Sequence, residues 1–310
     1  MLRRMAAIAL NTYRESVRAR ILVGLAGVAF AVGFYSLVVG AYTLSEAPRV
    51  VSDLGGAVLS IFAIAVAVLV GVTSLHRELE QKTILPLLAR PVGRAEYLVG
   101  KYLGMMVVLG CFVVADTGLV LMLCAATGDA SPALVAGVGL GLAVAFGLAA
   151  WRSAWVRTFG PLPLALVLLA AGIVLAGSAP VERRVVLASA ALAACEMSIV
   201  AALTLFFASF STPFLSALLT LLLFLIGRNA DALARLPKKL FGPELSETGK
   251  VLAKLVPNLH VYVPARPLLT GEAVDANLAS YLAMALCASV GWTVLLLALA
   301  SLVFRRRDFL

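Results

Sequence analysis

The sequence predicts an all-α integral membrane protein, a polytopic helical bundle of six to eight transmembrane helices with both termini cytoplasmic. Three observations carry that prediction. Of 310 residues, 62% are hydrophobic and only 13% charged, against about 45–50% apolar and roughly 25% charged in soluble domains. The apolar residues fall in runs that match the hydrocarbon core, which a helix crosses in about 20 residues at about 1.5 Å each. The basic residues stand at the ends of those runs and are heavily biased to alternate ends. A water-soluble fold of this length could not cover so much apolar surface, and lipid is the solvent that fits.

Residues 1–20 read as an amphipathic interfacial helix. Leu2, Met5, Ile8, Ala9, Tyr13 and Val17 recur at helical spacing, while Arg3, Arg4, Arg14 and Arg18 can reach anionic headgroups. This charged segment is longer than the basic region of a cleaved signal, so the first apolar run is expected to stay as an anchor. That run is residues 21–42. The loop TLSEAPRVVSD follows, with Pro48 as a breaker and Ser52 or Asp53 as the expected N-cap of a second span at 54–74. A polar stretch at 76–101 separates it from a third span at 102–126, closed by TGDASP.

Residues 133–150 and 161–178 form a short apolar hairpin around WRSAWVR. Pro161 and Pro163 crowd the start of its second arm. Two further spans, 185–209 and 213–227, are separated only by FSTP. The segment 228–277 carries two amphipathic patterns, NADALARLPKKL and ELSETGKVLAKLVPNL, and the last span, 279–304, runs into RRRDFL. Eight spans are expected. Were the 133–178 hairpin to stay out of the membrane, six would remain and no other orientation would change.

Counting Lys and Arg by alternate sides gives 15 on the side of the termini and three in the opposite short loops, Arg49, Arg183 and Arg184. The seven in 228–277 count weakly, because long loops cross largely regardless of charge. Both termini are therefore expected in the cytoplasm. The net charge of +9 is accordingly a statement about orientation. No basic stripe with interleaved aromatics points to nucleic acid. Cys111, Cys124, Cys195 and Cys287 all lie in apolar runs and read as small hydrophobes. His76 and His260 stand alone, without a metal-ligand set. Gly137-x-x-x-Gly141 has no strand before it, and its spacing is expected to let another helix approach closely.

Two acids lie deep in spans. Asp116 is 15 residues beyond Lys101, roughly 20 Å from the cytoplasmic end. Glu196 is about nine residues in from the other side, roughly 13 Å down, so their depths can match. A charge at mid-bilayer costs about 2.5–3.5 kcal/mol on insertion scales, so both are expected to face protein or a wet cavity. No Lys or Arg lies mid-span to pair with them. Two roles remain open for them: substrate contact or proton handling, or an interhelical hydrogen bond to Ser or Thr.

The polar stretch contains ELEQKTILPLLARPVGRAEYLVGKYLG. Its Pro86 and Pro91 are expected to break it into short helical pieces on the cytoplasmic surface. It resembles the cytoplasmic loop of type-2 ABC exporter permeases. Matching positions are Glu78, Glu80, Lys82, Thr83, Arg90, Pro91, Val92, Gly93, Arg94, Gly100 and Lys101. LNTYRESVRARIL at 10–22 resembles that family's elbow helix. LTLFFASFSTPFLSALLTLLLFLIGR at 203–228 resembles its fourth and fifth spans, and FRRRDF at 304–309 its C-terminus. The extra hairpin at 133–178 departs from the family's six-helix pattern.

The resemblance implies one permease domain over 1–310, with an elbow helix (1–20), a coupling loop (76–101), an inserted hairpin (133–178) and an extracytoplasmic segment (228–277). It implies a homodimer of permeases in lipid, served by a separate cytoplasmic ATPase that binds ATP and magnesium. It places Glu78, Glu80, Lys82, Thr83, Arg90, Pro91 and Arg94 at the ATPase contact. The chain itself carries no G-x-x-x-x-G-K-[ST] loop. Its expected role is a transport subunit, without enzymatic activity of its own, in a bacterial cytoplasmic membrane. The competing readings are an ion-coupled secondary transporter using Asp116 and Glu196, or a membrane scaffold or channel.

Overall fold

Apolar runs with few backbone-breaking residues, placed in lipid, must satisfy every peptide group within the run, which selects helix. The computed structural model describes residues 2–43, 46–80, 93–272 and 277–305, and all regular structure among them is helical. The helices are α1 (Leu2–Arg18), α2 (Arg20–Ala41), α3 (Ala47–Glu80), α4 (Arg94–Thr127), α5 (Pro132–Arg152), α6 (Ala154–Phe159) and α7 (Pro161–Leu175). After a 3-10 turn at Ala176–Ser178 come α8 (Pro180–Ala208), α9 (Pro213–Arg228), α10 (Ala230–Ala234), α11 (Lys238–Leu255), α12 (Arg266–Thr270) and α13 (Leu278–Arg305). Among the described residues seven helices are long and apolar enough to cross a membrane. The apolar α9, at 16 residues, is shorter.

Three helices make the centre. About 70% of the apolar stretch of α3, α4 and α8 is buried inside the protein, against 6% of α5. The main core lies between α3, α4 and α8, with Leu59, Met105, Leu109, Leu192 and Met197 almost fully enclosed. Helix α2 packs on α3 and α4, α13 on α8, and α7 on α4. Glycines set the closest crossings. A Cβ on Gly118 of α4 would meet the α7 backbone at Leu168 at 2.5 Å, and one on Gly172 would meet the Gly118 oxygen at 2.6 Å. Gly137 and Gly141, the expected approach site, meet nothing within 4 Å. Their spacing is right, but α5 lies at the rim of the bundle, where no helix among the described residues reaches them.

The first and last helix ends lie on one side, here the terminal face. It holds α1, the ends of α3 and α13, the start of α4, helix α6 and the α8–α9 turn. The start of α3, the end of α4 and helices α10–α12 lie on the far face. The start of α3 differs from expectation. Pro48 sits in its first turn, where a proline costs no intrahelical bond. Ser52 and Asp53 therefore lie inside the helix and do not cap it. They join Glu182 of α8 and Arg266 of α12 in one polar cluster. Arg266 donates to both Glu182 oxygens at 2.7 Å, to Ser52 Oγ at 3.2 Å and to Asp53. Burial alone would lower the Arg266 pKa, but the bonds to Glu182 and the charge of Asp53 outweigh it and raise the value. This cluster pins the 228–277 segment, whose amphipathic patterns are the helices α10 and α11, to the centre of the bundle.

Candidate functional site

The polar stretch at 76–101 has two described ends. Helix α3 continues without a break through His76, Arg77 and the backbone of Glu78 and Glu80. Helix α4 begins at Arg94, so Gly100 and Lys101 belong to its second turn. Lys82, Thr83, Pro86, Arg90 and Pro91 lie outside the described residues, as do the side chains of Glu78 and Glu80.

Helix α1 is seated beside this stretch by a glycine notch. A Cβ on Gly100 would meet Ile8 Cβ at 3.0 Å, and one on Gly104 would meet Thr12 Cβ at 2.7 Å. With no side chain at either position, α1 lies directly on the α4 backbone. The sequence contains this G-x-x-x-G at 100–104, interrupted by Lys101, Tyr102 and Leu103. The α1 stripe that sequence reading assigned to lipid thus spends Ile8 and Ala9 on α4, and buries Thr12, Tyr13 and Ser16 as well. Glu15 turns to α3 and pairs with Arg77 at 3.7 Å.

A small core underlies this face. Leu75 of α3, Tyr97 and Leu98 of α4, Ala208 of α8 and Ala300 and Phe304 of α13 pack together, with Ile8 of α1 against them. The Tyr97 and Phe304 rings stack at 6.0 Å. Arg94 turns inward and donates to the carbonyls of Phe304 (3.1 Å) and Arg305 (2.6 Å). These carbonyls lie in the last described turn of α13, where the helix dipole attracts a cation. Arg94 therefore ties the last helix to the start of α4. His76 links α3 to the α8–α9 turn, with Nε2 2.8 Å from the Ser211 carbonyl and Nδ1 3.0 Å from the Val72 carbonyl.

The 133–178 hairpin reaches the same face. Its corner is α6, where Tyr13 Oη donates to the Thr158 carbonyl at 2.9 Å and the Tyr13 ring stacks on Phe159 at 6.1 Å. Burial first, and Cys111 second, push the Tyr13 pKa up to about 12, so the hydroxyl keeps its proton at any physiological pH. This contact joins residues 145 positions apart, and nothing in the sequence signals it.

Inside the bundle, Glu196 is almost fully buried and is paired with Arg228, the last residue of α9. Ser60 Oγ of α3 donates to the same carboxylate at 3.1 Å. The expectation of no basic partner fails because α9 is short, so its end reaches the depth of Glu196. The expected serine bond is present. Asp116 is fully buried, and neither of its oxygens has a hydrogen-bond partner among the described residues. Val120 of α4 sits where a Gly55 Cβ on α3 would meet it at 2.5 Å. From that crossing Asp116 is four residues along α4 and Ser60 five along the antiparallel α3, placing them within about 1.5 Å of one level. Asp116 and the Glu196–Arg228 pair thus share one layer.

Between α4, α8 and α13 a groove of about 630 Å³ carries hydroxyls that sequence reading did not single out. Ser198 and Ser289 share a hydrogen bond at 2.8 Å, and Tyr102 donates to the Ser198 carbonyl at 3.3 Å. The rest of its wall is almost entirely apolar. Such a groove accepts a long apolar group with few hydrogen-bonding atoms.

No curated protein matches the chain. The family described as ABC-2 family transporter protein matches residues 6–309. That span takes in most of α1, the ends flanking the polar stretch and the 133–178 hairpin alike. Members of this family are membrane permease components of ABC transporters and are associated with an ABC ATPase. The chain, a multi-pass membrane protein, belongs to the ABC-2 family of transporter proteins.

Proposed function

We propose that this chain is the membrane-spanning subunit of an ATP-driven exporter, working as a homodimer in a bacterial cytoplasmic membrane. The observation that supports it most is a family match covering almost the whole chain, elbow and polar stretch included. In this reading the terminal face is cytoplasmic, in keeping with the 15-to-three excess of Lys and Arg on that side. Helix α1 is the elbow, 76–101 the coupling loop, 133–178 the inserted hairpin and 228–277 the extracytoplasmic segment. The ATPase binds ATP and magnesium and docks against Glu78, Glu80, Lys82, Thr83, Arg90 and Pro91. Arg94 acts from beneath that surface, by holding the end of α13. Closure of the ATPase then moves α1, α4 and α13 together, because the glycine notch, Arg94 and the Tyr97–Phe304 stack link them.

The test is affinity purification of the tagged chain in mild detergent, with mass spectrometry and an ATPase assay on the eluate. A co-purifying P-loop ATPase, lost in a variant carrying E78Q, E80Q and R90Q, is the expected result. A chain that comes out alone and without ATPase activity in several detergents overturns the reading. A second reading, ion-coupled transport, rests on Asp116, buried without a hydrogen-bond partner among the described residues. It expects transport that needs no ATP and is lost in D116N.

A further inference from the structure

The inserted hairpin ends, on the terminal face, in a surface that the exporter reading does not use. Helix α5 is apolar throughout and finishes in Trp151 and Arg152; after Ser153 the chain turns into α6, with Trp155 and Arg157. Trp151 is 83% exposed and Trp155 67%, and both arginines are exposed. A soluble protein would not leave two tryptophans so open. At the end of a membrane-crossing helix, however, an amphipathic ring belongs at the headgroup level.

This corner does not stand alone. Phe159 of α6 stacks on Tyr13 of α1, and Trp155 packs on Phe159 at 5.4 Å. The Arg14 guanidinium lies 5.3 Å over the Phe159 ring, so α1 contributes a third cation to the same patch. Arg18, one turn further along α1, is exposed as well. The acid on this part of α1, Glu15, is turned away to Arg77 of α3. No Asp or Glu occurs between Pro132 and Arg157. The patch therefore presents one sign of charge, between two exposed indoles, beside the end of an apolar helix.

We propose that α6 and the adjoining flank of α1 form a binding surface for anionic phospholipid headgroups. Arg14, Arg152 and Arg157 supply the charge for the phosphates, and Trp151 and Trp155 hold the depth. Guanidinium suits this role, since it can give a phosphate two parallel hydrogen bonds. The placement in the cytoplasmic leaflet rests on the orientation proposed above, but the headgroup chemistry does not. The surface fastens the inserted hairpin and the elbow to the membrane as one unit, through lipid as well as through Tyr13 and Thr158.

The test uses the full-length chain without any ATPase, so that failure of the exporter reading leaves it intact. Native mass spectrometry in detergent measures retained lipid after equal additions of phosphatidylglycerol and phosphatidylcholine. The wild-type chain is expected to keep phosphatidylglycerol in preference. The R14Q/R152Q/R157Q variant is expected to lose that preference, by about fivefold per arginine removed. The matching lysine variant is expected to retain most of it. A wild-type chain without headgroup preference, or a glutamine variant that keeps it in full, overturns the proposal. A second measurement leaves the patch unaltered. With W292F the only tryptophans are Trp151 and Trp155, and lipids brominated near the headgroup should quench both, more strongly as phosphatidylglycerol than as phosphatidylcholine. Equal quenching by the two lipids, or shielding of both indoles only by added ATPase, also overturns it.

Discussion

Replacing Gly104 by alanine should loosen α1 from the bundle. The added methyl would stand 2.7 Å from Thr12 Cβ and closer still to the Ala9 carbonyl. Carbon atoms rest at about 3.5–4.0 Å, so α1 must withdraw by roughly 1 Å. A gap of that size forfeits up to about half of each dispersion contact, and overpacked sites typically cost about 1–3 kcal/mol. Ile8, Ala9, Thr12 and Tyr13 would share that loss, because all four lie on the face turned to α4 and α6. Expressed as local opening, about 1.4 kcal/mol is a tenfold rise in the detached population. Trypsin cleavage after Arg14 and Arg18, which requires α1 to leave its seat, should accelerate by roughly five- to a hundredfold. Gly110 supplies the control, since a Cβ there meets nothing within 4 Å, and G110A should cleave like wild type. Equal cleavage of G104A and G110A would show that the notch does not hold α1.

Three further outcomes follow from the polar contacts. R266A removes the clamp on Ser52, Asp53 and Glu182, and hydrogen exchange across 259–272 should rise about tenfold or more. R266K should restore part of the protection, since an ammonium cannot fork to two acceptor groups as a guanidinium does. R228A leaves Glu196 buried with Ser60 as its remaining partner, a loss on the order of 3–5 kcal/mol, and E196Q/R228Q should be more stable in thermal unfolding than R228A alone. The Tyr13 pKa is raised from 10.0 to about 12, so the unfolded chain loses that proton first as pH rises. Its stabilisation is complete below about pH 10 and is lost as pH climbs through about 12. Binding of α1, followed by hydrogen exchange at 8–17, should therefore show no Tyr13-dependent change from pH 6 to 9. Y13F, lacking the bond to Thr158, should weaken it by about 1 kcal/mol throughout.

The membrane class and the order of the helices were legible in the sequence because lipid permits so few solutions. Runs at 21–42, 102–126 and 279–304 hold no other structure in hydrocarbon. That the first residues form a helix was legible from their stripe, though not what the stripe touches. Interhelical detail was not legible, for reasons of geometry. Gly137/Gly141 and Gly100/Gly104 share one spacing, but only the second pair faces a neighbour, and that depends on where α5 stands in the bundle. Arg228 read as the boundary of a span. Its reach to Glu196 depends on the depth at which α9 ends, which no local pattern encodes. Pro48 read as a breaker because a proline that starts a helix and one that stops it look alike until the helix length is known. Arg94 stands where its motif put it in the chain, but its bonds to the Phe304 and Arg305 carbonyls of α13 were not legible, because they depend on where the last helix packs.

The brevity of α9 bears on how the protein is made. Sixteen residues span about 24 Å, short of the roughly 30 Å hydrocarbon core. Arg228 at its end would be dragged below the headgroups if the helix entered the bilayer by itself. Glu196 on α8 offers the compensating charge, and four residues, Ser209–Thr212, separate the two helices. α8 and α9 are then expected to leave the translocon as a pair, with the carboxylate already in place when the arginine arrives. A nascent chain carrying E196A and one reporter cysteine in α9, which has none of its own, should stall at that step, with the reporter left accessible to water-soluble thiol reagents, whereas the same reporter beside Glu196 should be shielded.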